Sequence, residues 1–111
     1  MPDCRYWIWD IDNIATRLRE FSDERNWERY HTPRNLAIAL SVEVGELLEL
    51  FLWDRPLDNG EHYRRLADEA ADVAIYLIRL SDVSGIDLAR AIAAKIERNE
   101  KRFPPGSGEF G

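Results

Sequence analysis

The chain has 111 residues, 45% of them hydrophobic and 11% aromatic, which suits one folded domain and excludes a disordered one. Its formal net charge of −6 offers no basic face for a nucleic-acid backbone, although a single nucleotide stays open because a bound cation can reverse the local field. Cys4 is the only cysteine, which excludes an intrachain disulfide, argues against a cysteine-based zinc site and fits a reducing, cytoplasmic setting.

The start, MPDCRYWIWD, carries Asp3 and Asp10 and lacks a sustained apolar core, so no signal peptide is expected. Trp7 and Trp9 are expected to pack against a neighbouring subunit. A first helix is predicted from about Asp12 to Trp27, where Ile14, Leu18 and Phe21 fall near helical spacing. A second opens at Thr32-Pro33, an N-cap followed by proline at the first helical position. It continues through Leu36, Leu40, Val44, Leu47, Leu48 and Phe51 and stops before Asp54-Arg55-Pro56. Its apolar stretch matches a membrane span in length, but Glu43, Glu46 and Glu49 in the middle oppose insertion.

A third helix is predicted from Asp58 or Asn59 to Ser84, stopped by Gly85. A fourth begins at the N-cap Asp87, with Ile86 and Ala91 placed as a hydrophobic staple, and ends at Pro104-Pro105. Leu88, Ile92 and Ile96 form its apolar stripe. Residues 106–111 read as a flexible tail after a single domain spanning 1–105. Four helices and no strand imply an all-α fold, an antiparallel four-helix bundle. The second and third helices are apolar nearly all round, so each is central or covered by a partner, and a homodimer or dimer of dimers is expected.

Those two helices also carry the chemistry. Glu43 and Glu46 are three residues apart and share a face, and Glu69 and Asp72 repeat the spacing on the next helix. Antiparallel neighbours can set the pairs opposite each other. Two like charges about 4 Å apart repel by roughly 4 kcal/mol at an effective dielectric near 20. Raised pKa values, basic partners or a cation must relieve that repulsion, and an all-oxygen set favours Mg²⁺ or Mn²⁺. The alternative is two solvated faces that bind nothing.

The runs FSDERNWERYHTPRNLAIALSVEVGELLELFLW, DEAADVAIYLIRLSDVSGIDL and KIERNEKRFP resemble the MazG-like nucleotide pyrophosphohydrolases, nearest the dCTP pyrophosphatase branch. The resemblance covers about Ile14 to Pro104. It implies hydrolysis of a nucleoside triphosphate to the monophosphate and pyrophosphate, in nucleotide-pool cleansing, with Mg²⁺ on Glu43, Glu46, Glu69 and Asp72. It further implies that Trp27, His31 and Trp53 enclose base and sugar and that Tyr76 contacts substrate. Lys95 and Asn99 match a pair assigned to the triphosphate or its metals.

Each has an ordinary structural explanation as well. The tryptophans can be core residues, His31 a loop hydrogen-bonder, and Lys95 with Asn99 a solvated face. Two departures bear on base preference. Leu18 stands where some dCTP-hydrolysing relatives carry histidine, and the segment from Trp53 to Glu69 is shorter than in the animal enzymes. A related enzyme acting on dUTP or phosphoribosyl-ATP, and a non-catalytic helical interaction module, are the competing readings.

Overall fold

The computed structural model describes residues 9–52 and 60–106. Four helices account for most of them, with no strand among the described residues: α1 (Ile11–Glu24), α2 (Pro33–Glu49), α3 (Glu61–Val83) and α4 (Leu88–Arg102). Trp7, Trp53 and the expected tail beyond Gly106 lie outside the described residues.

Local chemistry sets most of the boundaries. Thr32 caps α2 as expected, its side chain accepting from the Asn35 backbone N–H, with Pro33 at the first position. Asp87 caps α4 in the same way through Arg90 N–H. At the end of α3, Gly85 takes φ 72°, the N–H of Ile86 donates to the Ser81 carbonyl at 2.9 Å, and that of Gly85 to Asp82 at 3.2 Å. This is a Schellman stop, and glycine enters the left-handed region without a Cβ clash.

Four ends differ from the sequence expectation. The first helix begins one residue earlier, because Asp10 caps it by accepting from Asn13 N–H. It also stops at Glu24 rather than Trp27. Asn26 takes φ 54°, Trp27 N–H donates to Ser22 O at 3.0 Å and Asn26 N–H to Asp23 O at 3.1 Å. The same Schellman geometry forms here on asparagine, the non-glycine residue that best tolerates this conformation. The second helix stops at Glu49 rather than running on through Phe51, with Leu50 as its C-cap. The third helix starts at Glu61 behind Gly60, which offers no side-chain cap.

Three contacts show that α2 and α3 run antiparallel. His31, just before α2, meets Arg79; Glu43 meets Glu69 and Asp72; and the Phe51 ring, just past α2, lies 6.2 Å from the His62 ring. α1 packs on α3 and is tied to it by Arg19 and Asp82. α4 leans on α1 and α3, and none of its Cα atoms comes within 8 Å of α2.

Among the described residues the buried apolar side chains are Leu36, Leu50 and Ile78. Leu36, Glu43 and Leu50 are spaced by seven residues, about two helical turns, so a carboxylate occupies the inner line of α2 between two buried leucines. The outer side of the same helix is apolar too, with Ile38, Val42, Val44 and Leu48 each 46–60% exposed. The all-round apolar character read from sequence is therefore split between an inner buried line and an outer uncovered face.

Candidate metal centre

Glu43 of α2 and Glu69 and Asp72 of α3 each offer a carboxylate oxygen, and these atoms lie within 4.8 Å of one another. All three residues are half-buried. One oxygen of Glu43 and one of Glu69 are sealed from solvent and have no hydrogen-bond partner in the protein. A buried acceptor with no donor is unfavourable by itself, and a carboxylate more so.

The Glu43 carboxyl is consequently pushed up to about 7, first by burial, then by the hydrogen bond and charge of Glu46, the hydrogen bond with Glu69 and the charge of Asp72. Glu46 is exposed and stands outside the tight trio, acting on it from the rim. The donors are all oxygens, and no basic side chain neutralises them among the described residues. Such a set fits a hard divalent cation, and the fit rests on those orphaned oxygens.

From this centre a single stripe runs along α3. Glu69, Asp72, Tyr76 and Arg79 follow one another by three, four and three residues and so share a face. Tyr76 is half-buried between the carboxylates and Arg79. Arg79, only 5% exposed, donates from Nε to His31 Nδ1 at 3.1 Å and from Nη1 to Asp82 at 3.2 Å. Asp82 is gripped from the other side by the guanidinium of Arg19, with bonds of 2.9 and 2.8 Å.

The Schellman stop of α1 turns Trp27 back toward this end of the stripe. Its ring meets Phe21 edge-on at 5.5 Å and His31 at 5.8 Å, and Arg25 lies over the Phe21 ring at 3.5 Å. Trp27 nevertheless keeps 40% of its surface exposed, so it forms a wall rather than a core plug. Along α3 the distance from Asp72 to Arg79 is about 10 Å, at a rise of about 1.5 Å per residue.

The structure thus brings together Glu43, Glu69 and Asp72, with Glu46 beside them, and sets Tyr76, His31 and Trp27 at successive points beyond. It does not bring Lys95 and Asn99 to the carboxylates: both lie on α4, Lys95 exposed, and neither side chain bonds to the four acids. Leu18 lines a separate apolar groove of about 410 Å³ with Trp9, Phe21, Ala74, Ile75 and Ile78, on another face of α3.

Sequence reasoning missed Arg79, Asp82 and Arg19. Arg79 could have been found, since it stands ten residues from Glu69, on the same stripe, inside the otherwise apolar run YLIRL. The orphaned ring nitrogen of His62, buried beside Phe51, was missed as well.

The chain is 40% identical over 100 residues to dCTP pyrophosphatase 1 of Rattus norvegicus and 39% identical to that of Homo sapiens, in each case covering 85% of this chain. It spans 59% of the length of these curated relatives. A solved structure, a pyrophosphatase from Archaeoglobus fulgidus, superposes with a TM-score of 0.71 at 42% identity, over 85% of this chain and 92% of the other. Residues 38–108, which include all four acids, Tyr76, Lys95 and Asn99, match the MazG-like family, and with that match over more than half its length the chain belongs to that family.

Proposed function

We propose that this chain hydrolyses a nucleoside triphosphate, with a deoxycytidine-type base favoured, to the monophosphate and pyrophosphate, using Mg²⁺ or Mn²⁺ held by Glu43, Glu46, Glu69 and Asp72. The observation that carries the reading is the pair of sealed, unpartnered oxygens on Glu43 and Glu69 within a three-carboxylate cluster. The base preference rests on the naming of the mammalian relatives as dCTP pyrophosphatases.

When bound, the cation supplies positive charge against the triphosphate oxygens. The protein's own share is to hold four carboxylates so that this charge stays at one place between α2 and α3. Water attacks the α-phosphorus and the α–β bridging bond breaks. The proton leaving that water goes to a carboxylate of the set, or to Glu49 or Asp68 at its margin. Trp27 and His31 form one wall for base and sugar about two helical turns from the acids, and Tyr76 lies between. Family likeness assigns Trp53, which lies outside the described residues, to the base and sugar as well.

Lys95 and Asn99 remain assigned to the triphosphate. Since α4 stands apart from α2, they would reach it from a second copy of the chain. The uncovered apolar side of α2 supports a homodimer or dimer of dimers. Among the described residues no helix is long and apolar enough to cross a membrane. Cytoplasmic nucleotide-pool cleansing is the role this reading implies.

The test is a panel of NTPs and dNTPs, with 5-methyl-dCTP, dUTP and phosphoribosyl-ATP, in Mg²⁺ and in Mn²⁺, measuring pyrophosphate and orthophosphate separately. Pyrophosphate with the matching monophosphate is expected, greatest for a cytosine base. No release from a folded protein with either metal would leave the helical interaction module as the surviving reading.

A further inference from the structure

His31 is the one proposed substrate contact whose protonation is dictated by a neighbour. An arginine guanidinium can only donate, so the 3.1 Å bond from Arg79 Nε requires an unprotonated Nδ1 on His31. A neutral imidazole then carries its hydrogen on Nε2. Burial first, and then the charge of Arg79, hold the His31 pKa below the ordinary histidine value, against a smaller opposing pull from Glu28, so the ring is neutral at neutral pH.

Arg79 is itself fixed. It is buried, Asp82 accepts from its Nη1, and Asp82 is clamped by both ends of the Arg19 fork from α1. The imidazole is tied from the backbone side as well, since His31 N–H donates to the carbonyls of Trp27 and Glu28, both at 3.1 Å. Among the described residues no protein acceptor takes the Nε2–H.

We propose that Arg79 is a positioning residue, anchored by Asp82 and Arg19, which holds His31 as the Nε2–H tautomer beside Trp27 so that it presents one fixed hydrogen-bond donor to an acceptor on the nucleoside. This rests on the function proposed above and adds a specificity element to it. A donor fixed in this way favours a carbonyl oxygen or an imine-type ring nitrogen and opposes an N–H at the same place. A freely tautomerising histidine would accept either.

The experiment combines two readouts on the full chain. With ¹⁵N-labelled histidine, long-range ¹H–¹⁵N NMR reports which ring nitrogen of His31 is protonated, the His31→Gln variant separating its signals from those of His62, the only other histidine. The parent should show a bare Nδ1 and a protonated Nε2 without any nucleotide. Arg79→Lys, which keeps the charge but loses the fork, should move both nitrogens toward the averaged values of a tautomer mixture.

The kinetic readout is KM for the best substrate in the parent, Arg79→Lys, His31→Gln and the double variant. Arg79→Lys should raise KM about tenfold in the parent background, for loss of one held hydrogen bond. In the His31→Gln background it should raise KM less than about twofold, because the two substitutions remove one shared interaction. A protonated Nδ1 in the parent, an unchanged His31 spectrum in a folded Arg79→Lys protein, or equal KM effects in both backgrounds would each overturn the positioning role. A parent that hydrolyses no nucleotide yet shows the expected spectra would instead overturn the proposed function, leaving the Arg79–His31 pairing standing.

Discussion

Two clusters of charge lie on α3 about ten residues apart, and they differ in whether the protein completes them. Around Asp82, one carboxylate receives two guanidinium groups, and the second arginine goes on to bond a histidine, so the set closes on itself. Around Glu69 and Asp72, three carboxylates face one another and two of their oxygens have no donor. A fold that needs charge only to join helices builds the first kind. The second kind raises the energy of the free chain, and it makes physical sense where something positive arrives from outside.

The widest gap between the clusters should appear in Glu43→Gln. Turnover is expected to fall by at least about a hundredfold, as for loss of a metal-orienting carboxylate. The metal-free variant should at the same time melt above the metal-free parent, because a like charge has been removed from a sealed site. A variant less stable than its parent would show that Glu43 is a structural acid, and the contrast with Asp82 would collapse.

Asp82→Asn should do the opposite. It leaves Arg79 buried with a neutral neighbour, and breaking a buried pair in this way costs about 3 kcal/mol. The loss is read by chemical denaturation with the midpoint and slope compared. A change within about 0.5 kcal/mol, the range of an ordinary surface substitution, would show that Arg79 is satisfied by His31 alone.

Mg²⁺ tests the incomplete cluster without any substitution. At a hundred times its dissociation constant, a cation bound only by the folded state adds about 2.7 kcal/mol of stability. The parent and Asp82→Asn should both gain melting temperature, and Glu43→Gln should gain much less. An equal gain in all three would place the cation elsewhere.

The difference between the clusters was only half legible in the sequence. The caps at Thr32 and Asp87 and the stop at Gly85 are local, so a few residues suffice to read them. The stop at Asn26 is just as local but uses a residue that adopts left-handed backbone only in particular settings, and the helix was extended past it. The clustering of Glu43, Glu69 and Asp72 was legible because two ExxE/D spacings sit on apolar helices, where charge is out of place; that Glu46 would stand outside the trio was not. The arginine cluster was not, because its closing bond joins Arg19 to Asp82 across 63 residues, and no spacing rule reaches that far. Lys95 and Asn99 show the converse. Their family pattern is plain in sequence, yet one chain holds them on a helix that does not meet α2.

The smallest effect separates the two arms within the completed cluster. Arg19 is half exposed at 50% while Asp82 is 17% exposed, so Arg19 is the solvent-facing arm and Arg79 the buried one. Arg19→Met should therefore cost only about 1 kcal/mol, the upper range for an exposed pair with two-pronged geometry, and added salt should shrink it. Its pH dependence has a definite sign. The Asp82 carboxyl is held below its ordinary value, chiefly by the hydrogen bond from Arg19, helped by the charges of Arg19 and Arg79 and opposed by burial. A carboxyl lowered in the folded state contributes stability above its unfolded pKa, near 4, and loses it as pH falls through the folded value. The gap between parent and Arg19→Met should thus be full at pH 7 and close in the acid range below about 4. A gap as large as that of Asp82→Asn, or one that ignores salt, would mean that both arms are sealed from water and that the cluster is a single buried unit.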